Sequence, residues 1–170
     1  MKFSFLLIFF GVLISKSYSQ LKASTIAENR NRLYFEITDH SIIESECIAL
    51  YCFYKSVVWK KADTLLSNLS LNVLLKYFDT SSHVVKYYAY LRILKSNDAV
   101  AFQKLKQIIS DSSKVRFQFD DYGGEEKFNQ LLVIEYKYII QAKFGNNSKL
   151  WKIKYGQLEQ LSSLHGLKPL

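Results

Sequence analysis

Three histidines, two cysteines and one acidic cluster are the side chains of this 170-residue chain whose types are suited to catalysis or ligation. His40, His83 and His165 each fall where a helix is predicted to begin or end, so a local capping role accounts for them. Asp120, Asp121, Glu125 and Glu126 flank Gly123-Gly124. Their spacing lacks the alternating ligands and terminal Glu of an EF-hand loop, and acidic residues opening a helix complement its dipole, which explains Glu125 and Glu126 without a ligand. The histidine and cysteine spacings give no tetrahedral zinc set. A Gly-x-Ser-x-Gly elbow, a His-Glu-x-x-His pair and a phosphate-cradling glycine loop are all missing from the sequence. No catalytic residue, metal or cofactor is therefore expected.

Cys47 and Cys52 fall in a segment that reads as helix. Ser41-Ile42-Ile43-Glu44 has the form of a capping box, and the apolar residues that follow, Ile48, Ala49, Leu50, Tyr51, Phe53 and Tyr54, carry the predicted helix to about Val58. Five residues along a helix separate two Cα atoms by ~8.6 Å, beyond the ~7 Å limit for a disulfide, so both cysteines are expected to be free thiols.

After an interruption at Lys60-Lys61-Ala62-Asp63, apolar residues return at helical spacing from Leu65 to Phe78, with a break at Ser70, itself a candidate N-cap. Asp79-Thr80-Ser81-Ser82 then turns the chain into a helix over His83 to Lys95, in which Val84, Tyr88 and Leu91 are placed in the interior. Ser96-Asn97-Asp98 caps the next helix, whose core stripe is Val100, Phe102, Leu105, Ile108 and Ile109. Periodicity is lost from Ser110 to Gly124. A strongly apolar helix follows from Glu125 to Phe144. Beyond Gly145-Asn146-Asn147, Ser148 caps a last helix on which Trp151, Tyr155, Leu158 and Leu161 share a face until Gly166. Alternation of apolar and Lys residues over Trp151 to Tyr155 also fits a short strand, but the spacing from Tyr155 onward fits helix better.

The amino terminus has a different character. Lys2, the apolar run Phe3 to Ile14 and the small-residue stretch Ser15-Lys16-Ser17-Tyr18-Ser19 follow the order of a secretory signal peptide. The run is well short of the ~20 residues that span a bilayer, so cleavage after Ser19 and export to a periplasm or the medium are expected. Removing residues 1–19 takes away Lys2 and Lys16 and leaves 151 residues with 21 basic and 15 acidic side chains, a net charge of +6. That length suits one domain. The expected organisation is signal peptide 1–19, lead-in 20–40, one helical domain 41–166 and a tail 167–170. An exported chain whose aromatic residues sit at apolar helical positions rather than interleaved with a basic run is not expected to bind nucleic acid, and basic residues spread along the chain permit at most weak contact with an anionic envelope surface.

One turn sequence recurs. Asp79-Thr80-Ser81-Ser82-His83-Val84 reappears in shortened form as Asp111-Ser112-Ser113-Lys114-Val115, with the two Asp residues 32 positions apart. With Val84-Val85-Lys86-Tyr87-Tyr88-Ala89-Tyr90-Leu91 after the first turn, residues 65–115 resemble a HEAT-like helical-repeat protein. His83 stands where such units often carry Pro, and Lys86 where they carry Arg. The resemblance implies stacked antiparallel helical hairpins and a protein-binding role; the alternative is an irregular helical bundle. Both make the chain all-α.

Two functional expectations follow. The first is an exported, non-enzymatic module that binds a protein or peptide, with Tyr87, Tyr90 and Arg92 as its candidate anchors, because rings and arginine off the core stripe anchor interfaces. The second is an enzyme that pairs the acidic loop near Asp121 with His40 or His83 as acid and base. A concave pocket with a carboxylate in reach of a histidine favours the second, and a flat aromatic and basic face favours the first.

Overall fold

In a computed structural model that describes residues 3–48, 54–80, 82–120 and 122–168, the backbone of residues 3–38 forms one helix, α1 (Phe3–Thr38), and leads directly into a strand, β1 (Ile42–Ile48). The expected leader lies on α1; its side chains over residues 3–19 fall outside the described residues, as does all of Asp121. Among the described residues no helix is long and apolar enough to cross a membrane. The chain continues through β2 (Tyr54–Lys55), α2 (Val57–Leu66), α3 (Leu71–Phe78), α4 (His83–Ser96), α5 (Asp98–Ile108), β3 (Lys114–Asp120), β4 (Tyr122–Lys127), α6 (Phe128–Phe144) and α7 (Lys149–Leu164).

The molecule is mostly helical but not all-α, because β1 to β4 form a sheet in the order β2-β1-β3-β4. β1 lies parallel to β3, with Ile42 opposite Arg116 and Ile43 opposite Phe117, while β3 and β4 form an antiparallel hairpin. The segment expected to open a helix at Ser41 is thus a strand. Ile42 and Ile43 are β-branched residues suited to a pleated surface, and alternation puts Ile43 and its partner Phe117 on the buried face, 0 % and 6 % exposed. Ser41 and Glu44 do not cap a helix: Ser41 Oγ accepts from Arg116, and Glu44 Oε2 accepts from Ser56 Oγ at 2.6 Å. Tyr88 of α4 fastens the strand from inside, its hydroxyl accepting from the Glu44 N–H at 3.0 Å and donating to the Glu44 carbonyl at 2.8 Å.

Glu125 and Glu126 belong to β4 rather than to a helical first turn. The hairpin turns at Asp120, which has φ 51°, a left-handed conformation that Asp tolerates better than most residues. Gly123 permits the Gln118 side chain to lie across the strand pair; an added Cβ would sit 2.2 Å from Gln118 Oε1.

The free-thiol expectation loses its premise here. Cys47 lies in β1, its backbone opposite Lys55, so the helical five-residue separation does not exist; Cys52 and the Cys47 side chain lie outside the described residues.

The helices elsewhere follow their local signals. Ser82, Asn97 and Ser148 each accept from the backbone N–H three residues on, as N-caps. Gly145 ends α6 with φ 75°. The break at Ser70 is present between α2 and α3, while Lys60 to Asp63 lie inside α2 rather than interrupting it. α4 is the hub, with Val84, Val85, Tyr87, Tyr88, Ala89, Tyr90, Ile93 and Leu94 all buried. A helix so enclosed is packed on most of its circumference. The turn at Asp79 leads into α4 and its shorter echo at Asp111 leads into β3, so the two copies introduce different elements.

Candidate functional site

The three anchors expected on α4 do not form an exposed face. Tyr87 and Tyr90 are 2 % and 0 % exposed, because neighbours surround α4 and a ring off one stripe still meets another element. Arg92 is engaged by Asp63 of α2. The Tyr87 ring stacks on Phe119, and its hydroxyl donates to Glu135 Oε1 of α6 at 2.5 Å. Tyr90 packs against Phe78, and its hydroxyl has no partner among the described residues.

Burial pushes the Glu135 carboxyl above its usual range, against the opposing pull of the Tyr87 hydrogen bond and Lys95. Between its unfolded and folded values the native state then holds the proton more tightly than the unfolded chain. Stability falls as pH rises through that window and stays lowered above it. Glu135→Gln keeps an acceptor for Tyr87 without the buried charge. It is expected to raise the melting temperature at pH 7 and to flatten the decline above pH ~4.3; thermal unfolding across pH reads both.

A concave site lies elsewhere, where the end of α1, the starts of β1 and α4, and strands β3 and β4 converge. Its cavity of about 420 Å³ is lined chiefly by His40, Ser41, His83, Lys114, Arg116 and Glu125. Each wall has a local cause. The chain leaves α1 through a turn in which the His40 N–H donates to the Ile37 carbonyl at 3.1 Å, which places His40 and Ser41 at the rim. Ser82 caps α4 and so sets His83 at the first position of that helix. Alternation along β3 puts Lys114 and Arg116 on the sheet face opposite to buried Phe117.

His83 is held on two sides. Its Nε2 lies 3.0 Å from Asp111 Oδ2, and its ring meets Phe128 edge-on at 4.6 Å. With Nε2 donating to Asp111, Nδ1 is left as the acceptor. Burial would raise the Asp111 carboxyl, but hydrogen bonds from Ser113 and His83 outweigh it and hold the group below the usual carboxylate range. The loop that carries Asp111 is fixed in turn by buried Asn129, which donates from Nδ2 to the Ile109 carbonyl at 2.6 Å and from its N–H to the Asp111 carbonyl at 3.2 Å.

Arg116 donates from Nη2 to Ser41 Oγ at 2.5 Å. Among the described residues neither Arg116 nor Lys114 makes an ion pair, although Glu125 is the cross-strand neighbour of Arg116. A second cavity of about 530 Å³ opens over the outer face of the sheet, lined by Ile42, Glu44, Phe117, Gln118 and Gly124 as well as Arg116 and Glu125. Because Arg116 and Glu125 line both, the two cavities adjoin.

The structure therefore gives His83 a carboxylate, but from Asp111 rather than from the acidic loop. His40 lines the same cavity as His83, whereas His165 sits at the far end of α7 as its C-cap. In the sequence Asp111 stands out only as part of a recurring turn. Its Asp-Ser-Ser pattern was the available signal, since the Ser113 N–H does donate to Asp111 Oδ1 at 3.1 Å, as such a turn requires. Lys114 stands in the same recurring turn, and the available signal for Arg116 is the alternation of polar and apolar residues from Lys114 to Asp120. Among the described residues no group of three or more His, Cys, Asp or Glu side chains is placed to hold a metal ion. Compared with known proteins, the chain matches no protein family, no curated protein and no solved structure.

Proposed function

We propose that this is an exported, non-enzymatic module that binds an extended peptide segment of a partner protein along the two adjoining cavities. The observation that carries this reading is their continuity through Arg116 and Glu125, both exposed on the outer face of the sheet. A trough with Ile42 on its floor over the outer face of the sheet and charged side chains at one end suits a chain with alternating side chains better than a compact metabolite. Fluorescence polarisation of a degenerate pool of fluorescein-labelled peptides against the purified protein tests it. Saturable binding that Ile42→Glu abolishes supports the reading, whereas binding unchanged in that variant would contradict it.

The His83–Asp111 pair favours a second reading, acid–base catalysis, because an aspartate that fixes one ring nitrogen of a histidine leaves the other to exchange a proton. Release of products from the same peptide pool, lost in His83→Gln, would favour catalysis over binding. The binding reading ranks first because among the described residues no side chain is hydrogen-bonded to His83 as an activated nucleophile would be.

A further inference from the structure

We infer that the site recognises the free C-terminal carboxylate of its peptide, with Arg116 as the anchoring side chain. This rests on the peptide-binding reading above. The carboxylate end is assigned to the smaller cavity because that is where cationic donors converge. Lys114 and Arg116 stand two residues apart on one face of β3, both at its wall and neither in an ion pair among the described residues. The guanidinium is already oriented: one of its nitrogens is occupied by Ser41 Oγ, which leaves further N–H groups for a planar carboxylate. Many other cations of the molecule are paired, among them Lys55 with Glu46, Lys61 with Glu36, Lys104 with Asp79, and both Lys143 and Lys154 with Asp98.

The opposite wall contributes His40, His83 and the capped first turn of α4, whose backbone dipole adds to the attraction for an anion. Asp111 is turned to His83 and does not line the cavity. Glu125 is the one carboxylate among the described residues that line this smaller cavity, and Glu44 lines the larger one. Lying where the two cavities meet, Glu125 disfavours an anion beside itself and leaves the Lys114 end as the place for the carboxylate. The larger cavity, with Ile42, Gln118 and Gly124, then takes the preceding residues of the peptide.

The test compares N-terminally fluoresceinated degenerate peptides made as free acids and as C-terminal amides. The free acids are expected to bind about tenfold more tightly. Arg116→Gln should remove that difference by weakening the free acids alone, with Lys114→Gln acting in the same direction to a smaller extent, while Ile42→Glu weakens both forms. Equal affinity for acid and amide in the wild-type protein would overturn the carboxylate assignment and leave peptide binding standing. Absence of binding by both forms would remove the peptide reading and this inference with it. The wild-type comparison decides the matter even where a variant fails to fold.

Discussion

Replacing Phe128 by alanine is expected to destabilise the protein by ~3–5 kcal/mol, the range for deleting a fully buried aromatic ring. Phe128 is 0 % exposed and opens α6 directly after β4. Its backbone N–H donates to the Ser113 carbonyl at 2.9 Å, and its ring supports His83 at 4.6 Å. The loss is therefore both a cavity at the start of α6 and the removal of one of the two contacts that orient His83. Urea unfolding reads the first part. The second should appear as weaker peptide binding under conditions where the variant remains folded. A cost below ~1 kcal/mol would mean that the site collapses around the missing ring.

The second large effect concerns α4. Leu94→Ala is expected to cost ~2–5 kcal/mol, because Leu94 and its neighbour Ile93 are both 0 % exposed. Leu91→Ala should cost less. Helical spacing puts Leu91 in the interior with Val84 and Tyr88, yet it is only partly buried and packs at the margin of the core. The ordering tests the rotation of the central helix, and the reverse ordering in denaturant titrations would show that α4 is turned from its described orientation.

The same helix shows what local sequence reveals and what it hides. The limits of α4, α5 and α7 were legible because Ser82, Asn97 and Ser148 act within three residues of themselves. How deeply α4 is buried was not, since its periodicity names one inward face while β1, α2, α3, α5 and α6 enclose the others. Tyr87 and Tyr90 were misplaced for that reason. β1 was misread for a complementary one: Ser41-Ile42-Ile43-Glu44 satisfies a local helix-start rule, but the strand is stabilised by Phe117 and by Tyr88, residues far along the chain. A capping box is worth little against such pairing once Ile43 can be fully buried.

The cleft was legible only in pieces. His40 and His83 stood out by residue type and Asp111 by its recurring turn, but their neighbourhood depends on β3 lying parallel to β1, with helices α2 to α5 between the two strands in sequence. Arg116 and Lys114 acquire meaning only when alternation along β3 puts them on the sheet face opposite to Phe117. Asn129 fixes the loop of Asp111 from the start of α6, and that dependence exists only in three dimensions.

Nitrogen–proton correlation spectra of the labelled protein, recorded while the free-acid peptide pool is added, test the central claim most directly. The largest shifts are expected at the amides of Ser41, Ile42, Val84, Arg116 and Glu125, which trace the two adjoining cavities. Shifts centred instead on Phe102, Lys106 and Leu161, which line a separate cavity between α5 and α7, or an unchanged spectrum at the highest peptide addition, would contradict it.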